Sequence, residues 1–131
     1  MPDTHQTARQ GGATETPTRD LAQWVAEVPS ADFTDRPRRW AKHAILDWFG
    51  VTLAGATDPL VGILADDALD AGEAGNARLV GRREKVTPGF AAMINGAASH
   101  ALDYDDVNKR LHGHPTVPVV PAVLALAEQK G

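Results

Sequence analysis

Between Pro37 and Thr52 the chain repeats its apolar residues with the period of a helix. Trp40, Ala41, Ala44, Ile45, Trp48, Phe49 and Thr52 fall on one broad stripe, Arg39 and Lys42 lie opposite, and His43 sits near the boundary. Thr34 or Asp35 can accept from the free amides at the start, and Pro37 occupies the first turn, where its missing N–H costs nothing. A stripe that wide has to be buried against other elements. The chain is 43% hydrophobic but only 5% aromatic, so its core is built mainly from Ala, Leu and Val, small side chains that suit closely packed helices.

The other segments supply those helices. Leu21, Trp24, Val25 and Val28 mark a short amphipathic helix over residues 20–28, stopped by Pro29. Gly50 and Gly55 either admit a neighbouring helix closely or end the long one. Pro59 opens a third helix, with Leu60, Ile63, Leu64 and Leu69 as its expected buried side and the glycines of AGEAGN at its end. ARLVG (77–81) reads as an edge strand or an extended connector, and GRREKV as a charged turn. Thr87-Pro88 is a start signal for an Ala-rich helix over residues 88–102, carrying Phe90, Ala91, Ile94, Ala97, Ala98 and Ala101. Thr116 is expected to cap a last helix, with Pro118 and Pro121 in its first turn or so. Residues 1–17, polar and rich in Gly and Thr, read as a disordered tail, and residues 18–131 as a single all-α unit, bundle-like or orthogonal.

Composition narrows the function. A net charge of −4 argues against nucleic-acid or anionic-membrane partners, and Arg36, Arg38, Arg39 and Lys42 read as the wet face of a helix. With no cysteine there is neither a disulfide framework nor thiolate chemistry. No apolar run approaches the roughly 18 residues a membrane span needs, and the N-terminus has no apolar signal core. A cytoplasmic protein is the expectation.

The chemistry concentrates between Asn95 and Pro121, where His100, His112, His114, Asp103, Asp105, Asp106 and Tyr104 lie between two apolar segments. If the fourth helix continues, His100, Asp103 and Tyr104 share a face, and a carboxylate beside an imidazole tunes it for proton transfer. The alternative for His100 is a helix C-terminal cation, and for Tyr104 simple packing. His114, held by Pro115 just ahead of a helix, faces the positive end of a dipole that attracts anions such as a substrate carboxylate, and Gly113 frees the backbone beside His112. Two solvent-exposed loop histidines are the plainer reading of that pair. Asp105 and Asp106 read as solvated acids or as partners of Lys109 or Arg110. An H-x-H pair could hold zinc, as in a metal-dependent hydrolase using His112 and His114, but the spacing to His100 matches no standard site, and no metal is expected.

NGAASHALDYDD, HGHPTVPVVPAVLALAE and the upstream WAKHAILDWFGVTLAGATDP together resemble the MmgE/PrpD family, which includes 2-methylcitrate dehydratase and cis-aconitate decarboxylase. The resemblance covers about residues 20–131 and implies a helical domain, a separate α+β domain, homodimerisation or a complementing C-terminal chain, and cofactor-free lyase chemistry on di- and tricarboxylic acids. It carries active-site roles onto Asp103 and His114; Asn95, His100, Tyr104 and His112 are expected beside them as substrate-binding or supporting residues. Val107 stands where some decarboxylase members have Thr. The expectation is an N-terminal fragment of such a lyase, inactive or nearly so alone; the alternative is a non-catalytic helical module that binds a partner.

Overall fold

The computed structural model describes residues 16–131, so the expectation of a disordered tail falls almost wholly outside the described residues. These contain five α-helices and one two-stranded sheet, a mainly helical architecture as the patterning requires. The chain divides into two compact units, Met1–Thr34 and Asp35–Gly131.

In the first unit, α1 spans Pro17–Glu27, three residues earlier than the apolar repeat alone suggests. Pro17 takes the first position, and the Thr16 carbonyl accepts from the amides of Arg19 and Asp20. A short 3₁₀ turn, Ser30–Asp32, follows. Trp24 and Phe33 meet edge to face with ring centroids 6.3 Å apart, fastening that turn to α1.

The second unit contains α2 (Asp35–Gly55), α3 (Pro59–Asp70), β1 (Ala74–Arg78), β2 (Lys85–Val86), α4 (Pro88–His100) and α5 (Thr116–Lys130). Alternate α2 glycines behave differently. Gly50 faces open space, whereas a β-carbon on Gly55 would collide with the Ala98 carbonyl oxygen, so α2 crosses α4 almost backbone to backbone there. Asp58 caps α3, its Oδ1 accepting from the Leu60 amide at 2.9 Å. Across that corner α3 turns 85° from α2, and only the two helices jointly reach the length and apolarity of a membrane span. Among the described residues no single helix does so.

The buried side of α3 differs from expectation. Val61, Ala65 and Ala68 enter the core, and Leu60, Ile63 and Leu69 are exposed, with Leu64 packed at its edge. The reason is distance: α3 lies against the alanine surface of α4, where Val61, Ala65 and Ala68 join Ala91, Ile94 and Ala98 in one cluster, and close helix approach admits small residues rather than leucines. The α2 stripe is likewise only partly used: Trp48 and Thr52 are buried, while Trp40, Ile45 and Phe49 are not.

The strand begins before ARLVG. Gly72, at φ +80°, ends α3, and Gly75 lies inside β1 where the Val86 backbone approaches too closely for a side chain. The segment read as a charged turn contains β2, antiparallel to β1 with an irregular register between Ala74 and Ala77. Thr87 does precede α4, but its hydroxyl donates to Glu73 Oε2 at 2.9 Å rather than capping the helix. Pro121 lies inside α5 and is buried. The Val117 carbonyl, which its absent N–H cannot satisfy, sits against Gly96 of α4. α5 packs chiefly on α4, and the loop joining the two carries the chemistry.

Candidate functional site

α4 stops at His100, two residues short of expectation. The Asp103 amide donates to the His100 carbonyl at 2.9 Å, and Asp103 adopts φ +52°, a left-handed turn that Asp tolerates better than most residues. The chain then folds back on itself. Asn108 Oδ1 accepts from the Arg110 and Leu111 amides at 2.9 and 3.1 Å, and the Asn108 amide donates to the Gly113 carbonyl at 2.9 Å. This closed loop returns His114 to the end of α4.

The three acids of DYDD have separate tasks. Asp106 terminates α5: its Oδ1 accepts from the Thr116 amide at 3.1 Å and from the Thr116 hydroxyl. Thr116 is thus the first residue of α5 and is capped from ten residues away, not the cap itself. The anion at this helix end is the protein's own carboxylate. Asp103 remains exposed. Asp105 has a fully buried side chain, and its two oxygens reach two imidazoles: Oδ1 lies 2.9 Å from His100 Nδ1, and Oδ2 lies 2.8 Å from His114 Nδ1. Its partners are histidines, and not Lys109 or Arg110 as the spacing suggested. The first contact is a well-formed hydrogen bond; the second is a close approach without hydrogen-bond geometry, and neither of its atoms has another hydrogen-bond partner.

The two rings stand edge to face with centroids 4.7 Å apart. A buried carboxylate is costly unless paired, and the hydrogen bond from His100 offsets part of that cost. Since a carboxylate only accepts, His100 Nδ1 carries the hydrogen, and Nε2 is the nitrogen left for other work. The hydrogen bond to Asp105 raises the His100 pKa above its ordinary value, the negative charges of Asp105 and Asp103 add to this, and partial burial opposes it. One donor atom from each of His100, Asp103, Asp105 and His114 lies within 4.8 Å of every other. With the His100 side chain 50% and that of His114 29% exposed, the group is open to solutes.

The structure therefore brings Asp103, His100 and His114 together and adds Asp105. It leaves the other sequence candidates outside. Asn95 lies within α4, its Oδ1 accepting from the Val80 amide and its Nδ2 donating to the Arg78 carbonyl, both at 2.9 Å; it ties the connector after β1 to α4. Tyr104 is 77% exposed, and His112, at φ +52°, sits on the exposed outside of the loop, so the H-x-H pair does not converge. Asp105 was missed because three nearby acids look alike in sequence. The D-Y-D alternation around an exposed tyrosine was the one local hint.

Beside the cluster, a hollow of about 430 Å³ is lined by Trp40, Ala44 and Ile45 of α2, by Val119 of α5, and by Asp106 and Pro115. Its wall is apolar apart from the carboxylate and the Thr116 hydroxyl.

Known proteins resemble this chain over most of its length. The chain is 29% identical over 111 residues to the cis-aconitate decarboxylase-like protein oryM of Aspergillus oryzae and 28% identical over 111 residues to the cis-aconitate decarboxylase of Aspergillus terreus. It is 29% identical over 112 residues to human cis-aconitate decarboxylase. Each alignment covers 85% of this chain but 23% of the relative, so the chain spans under a quarter of the length of the curated relatives it matches. The profile of the MmgE/PrpD N-terminal domain matches residues 19–131. The chain belongs to the MmgE/PrpD N-terminal domain family.

Proposed function

We propose that this chain supplies the proton-moving part of a lyase site for citrate-like di- or tricarboxylic acids. The observation that supports it is the buried Asp105 carboxylate set between His100 and His114, with Asp103 beside them. Loss of a carboxylate as CO₂ leaves an electron pair on carbon that must take up a proton. Dehydration removes a proton from carbon and delivers one to the departing hydroxyl. Either reaction needs an imidazole whose orientation is fixed and whose charge is balanced nearby. His114 is the acid/base group or the ligand of a substrate carboxylate, Asp103 polarises the site, and Asp105, hydrogen-bonded to His100, lies against the His114 ring. The names of the relatives suggest a decarboxylase; the fold and cluster suit a dehydratase or isomerase equally.

The test is turnover of cis-aconitate and of 2-methylcitrate by the protein that contains this domain. Replacing His114 by Ala should lower kcat by about two orders of magnitude or more. A loss under about threefold removes His114 from the chemistry.

A second reading rests on a different observation. Trp40, Ile45 and Phe49 of α2 and Val119, Val123 and Leu124 of α5 leave an apolar surface uncovered in their unit. Association through it, with a second copy or a complementing chain, is compatible with the lyase reading. Without any turnover it would instead make the chain a helical partner-binding module in the cytoplasm.

A further inference from the structure

We infer that Asp106 is a positioning residue: by clasping the start of α5 it fixes, through the backbone, where the His114 ring stands. What His114 then does rests on the lyase reading; the clasp itself is read without substrate. Three observations carry it.

The first is how α5 begins. Pro115 precedes the helix and offers no side-chain cap. Thr116 is buried, and both its amide and its hydroxyl donate to Asp106 Oδ1, the amide at 3.1 Å. An ionised acceptor makes these bonds stronger than a neutral cap would, and a carboxylate suits the positive end of the α5 dipole. The second is that His114 is bracketed. On one side the Gly113 carbonyl accepts from the Asn108 amide at 2.9 Å. On the other, Pro115, whose ring restricts its φ, leads directly to Thr116 and its carboxylate. With Gly113 and Thr116 both pinned, the backbone of His114 has little freedom. Without Asp106 one end of the bracket opens.

The third is that the contacts of the ring do not fix it. His100 is hydrogen-bonded to Asp105 Oδ1, a directional contact that sets its orientation. His114 approaches Oδ2 to 2.8 Å without hydrogen-bond geometry, an attraction that keeps the ring near but does not aim it. Of the two imidazoles, His114 is therefore the one that depends on its backbone. Its edge-to-face stance against His100, with centroids 4.7 Å apart, follows from how the loop is closed.

The experiment is nuclear magnetic resonance of the folded chain, reading the cross-relaxation peak between ring protons of His100 and His114 that this separation should give. Asp106→Ala should reduce that peak several-fold, while Asp106→Asn, which keeps an oxygen for Thr116, should retain most of it. Asp58→Ala is the control: it removes the α3 cap on the Leu60 amide, costs stability in the same way, and should leave the peak unchanged. In the protein that contains this domain, Asp106→Ala should lower kcat about tenfold or more with KM within about twofold, and Asp106→Asn should keep most of the rate. If Asp106→Ala fails to fold by circular dichroism, Thr116→Val decides the matter, since it removes only the hydroxyl and should still weaken the peak. The inference is overturned by an unchanged peak in the folded variant, by its absence from the parent, or by an equal loss in Asp58→Ala. An unchanged kcat in Asp106→Ala overturns it as well. A parent without turnover removes the lyase reading alone, and the peak still decides the clasp.

Discussion

Two glycines on one helix make opposite predictions. Gly50 and Gly55 both belong to α2, and both would gain intrinsic helix propensity on becoming alanine, by up to about 1 kcal/mol in a helix interior. A β-carbon on Gly50 meets nothing within 4 Å, so Gly50→Ala should keep nearly the whole gain. On Gly55 it would run into the Ala98 carbonyl oxygen, with the carbonyl carbon at 3.1 Å and Ala101 Cβ at 3.3 Å. No rotamer change relieves that clash, because the obstacle is backbone of α4. Overpacking of this kind costs about 1–3 kcal/mol or more, and the propensity gain is smaller at a helix end, so Gly55→Ala should destabilise by about 2 kcal/mol net. For a domain of this size, thermal unfolding followed by circular dichroism should show Gly50→Ala raised by about 4–8 °C and Gly55→Ala lowered by on the order of 10 °C. The reasoning about the α2–α4 crossing fails if the two variants shift the midpoint in the same direction, or if Gly55→Ala melts at or above the parent.

The site and the connector yield further tests. His100 has a pKa raised above its ordinary 6.5 by Asp105, so the pair's contribution to stability is fully present below the unfolded value and disappears as pH rises through the folded one. In chelator-containing buffer, the urea midpoint of the parent should exceed that of His100→Gln below about pH 6.5, with the gap closing at higher pH; a gap that widens with pH contradicts the assignment. Asn95→Leu strands the Val80 amide and the Arg78 carbonyl, which should cost about 1–3 kcal/mol in urea unfolding, and a neutral result would mean that water satisfies both groups.

Local rules made the helices legible. The period of apolar residues in α2, the prolines that open α3 and α4, and the alanines of α4 each act over one or two turns, which is the range over which helix-start signals and amphipathicity operate. They did not say which face is buried. On α3 the larger leucines had the stronger apolar pattern, but the distance to α4 selected Val61, Ala65 and Ala68. Nor could they separate Gly50 from Gly55, which differ only in what stands opposite.

The same division runs through the site. The sequence alone determined that imidazoles and carboxylates gather between α4 and α5, and its motifs singled out Asp103 and His114. Only the tertiary structure decided that Asp105 is the acid that goes inside, that Asp106 turns to the α5 amide, and that His112 stays out. The reason is that adjacent acids have almost the same local preferences. A buried charge is tolerable only where partners converge from separate elements, and that convergence depends on how the loop closes rather than on any residue's identity.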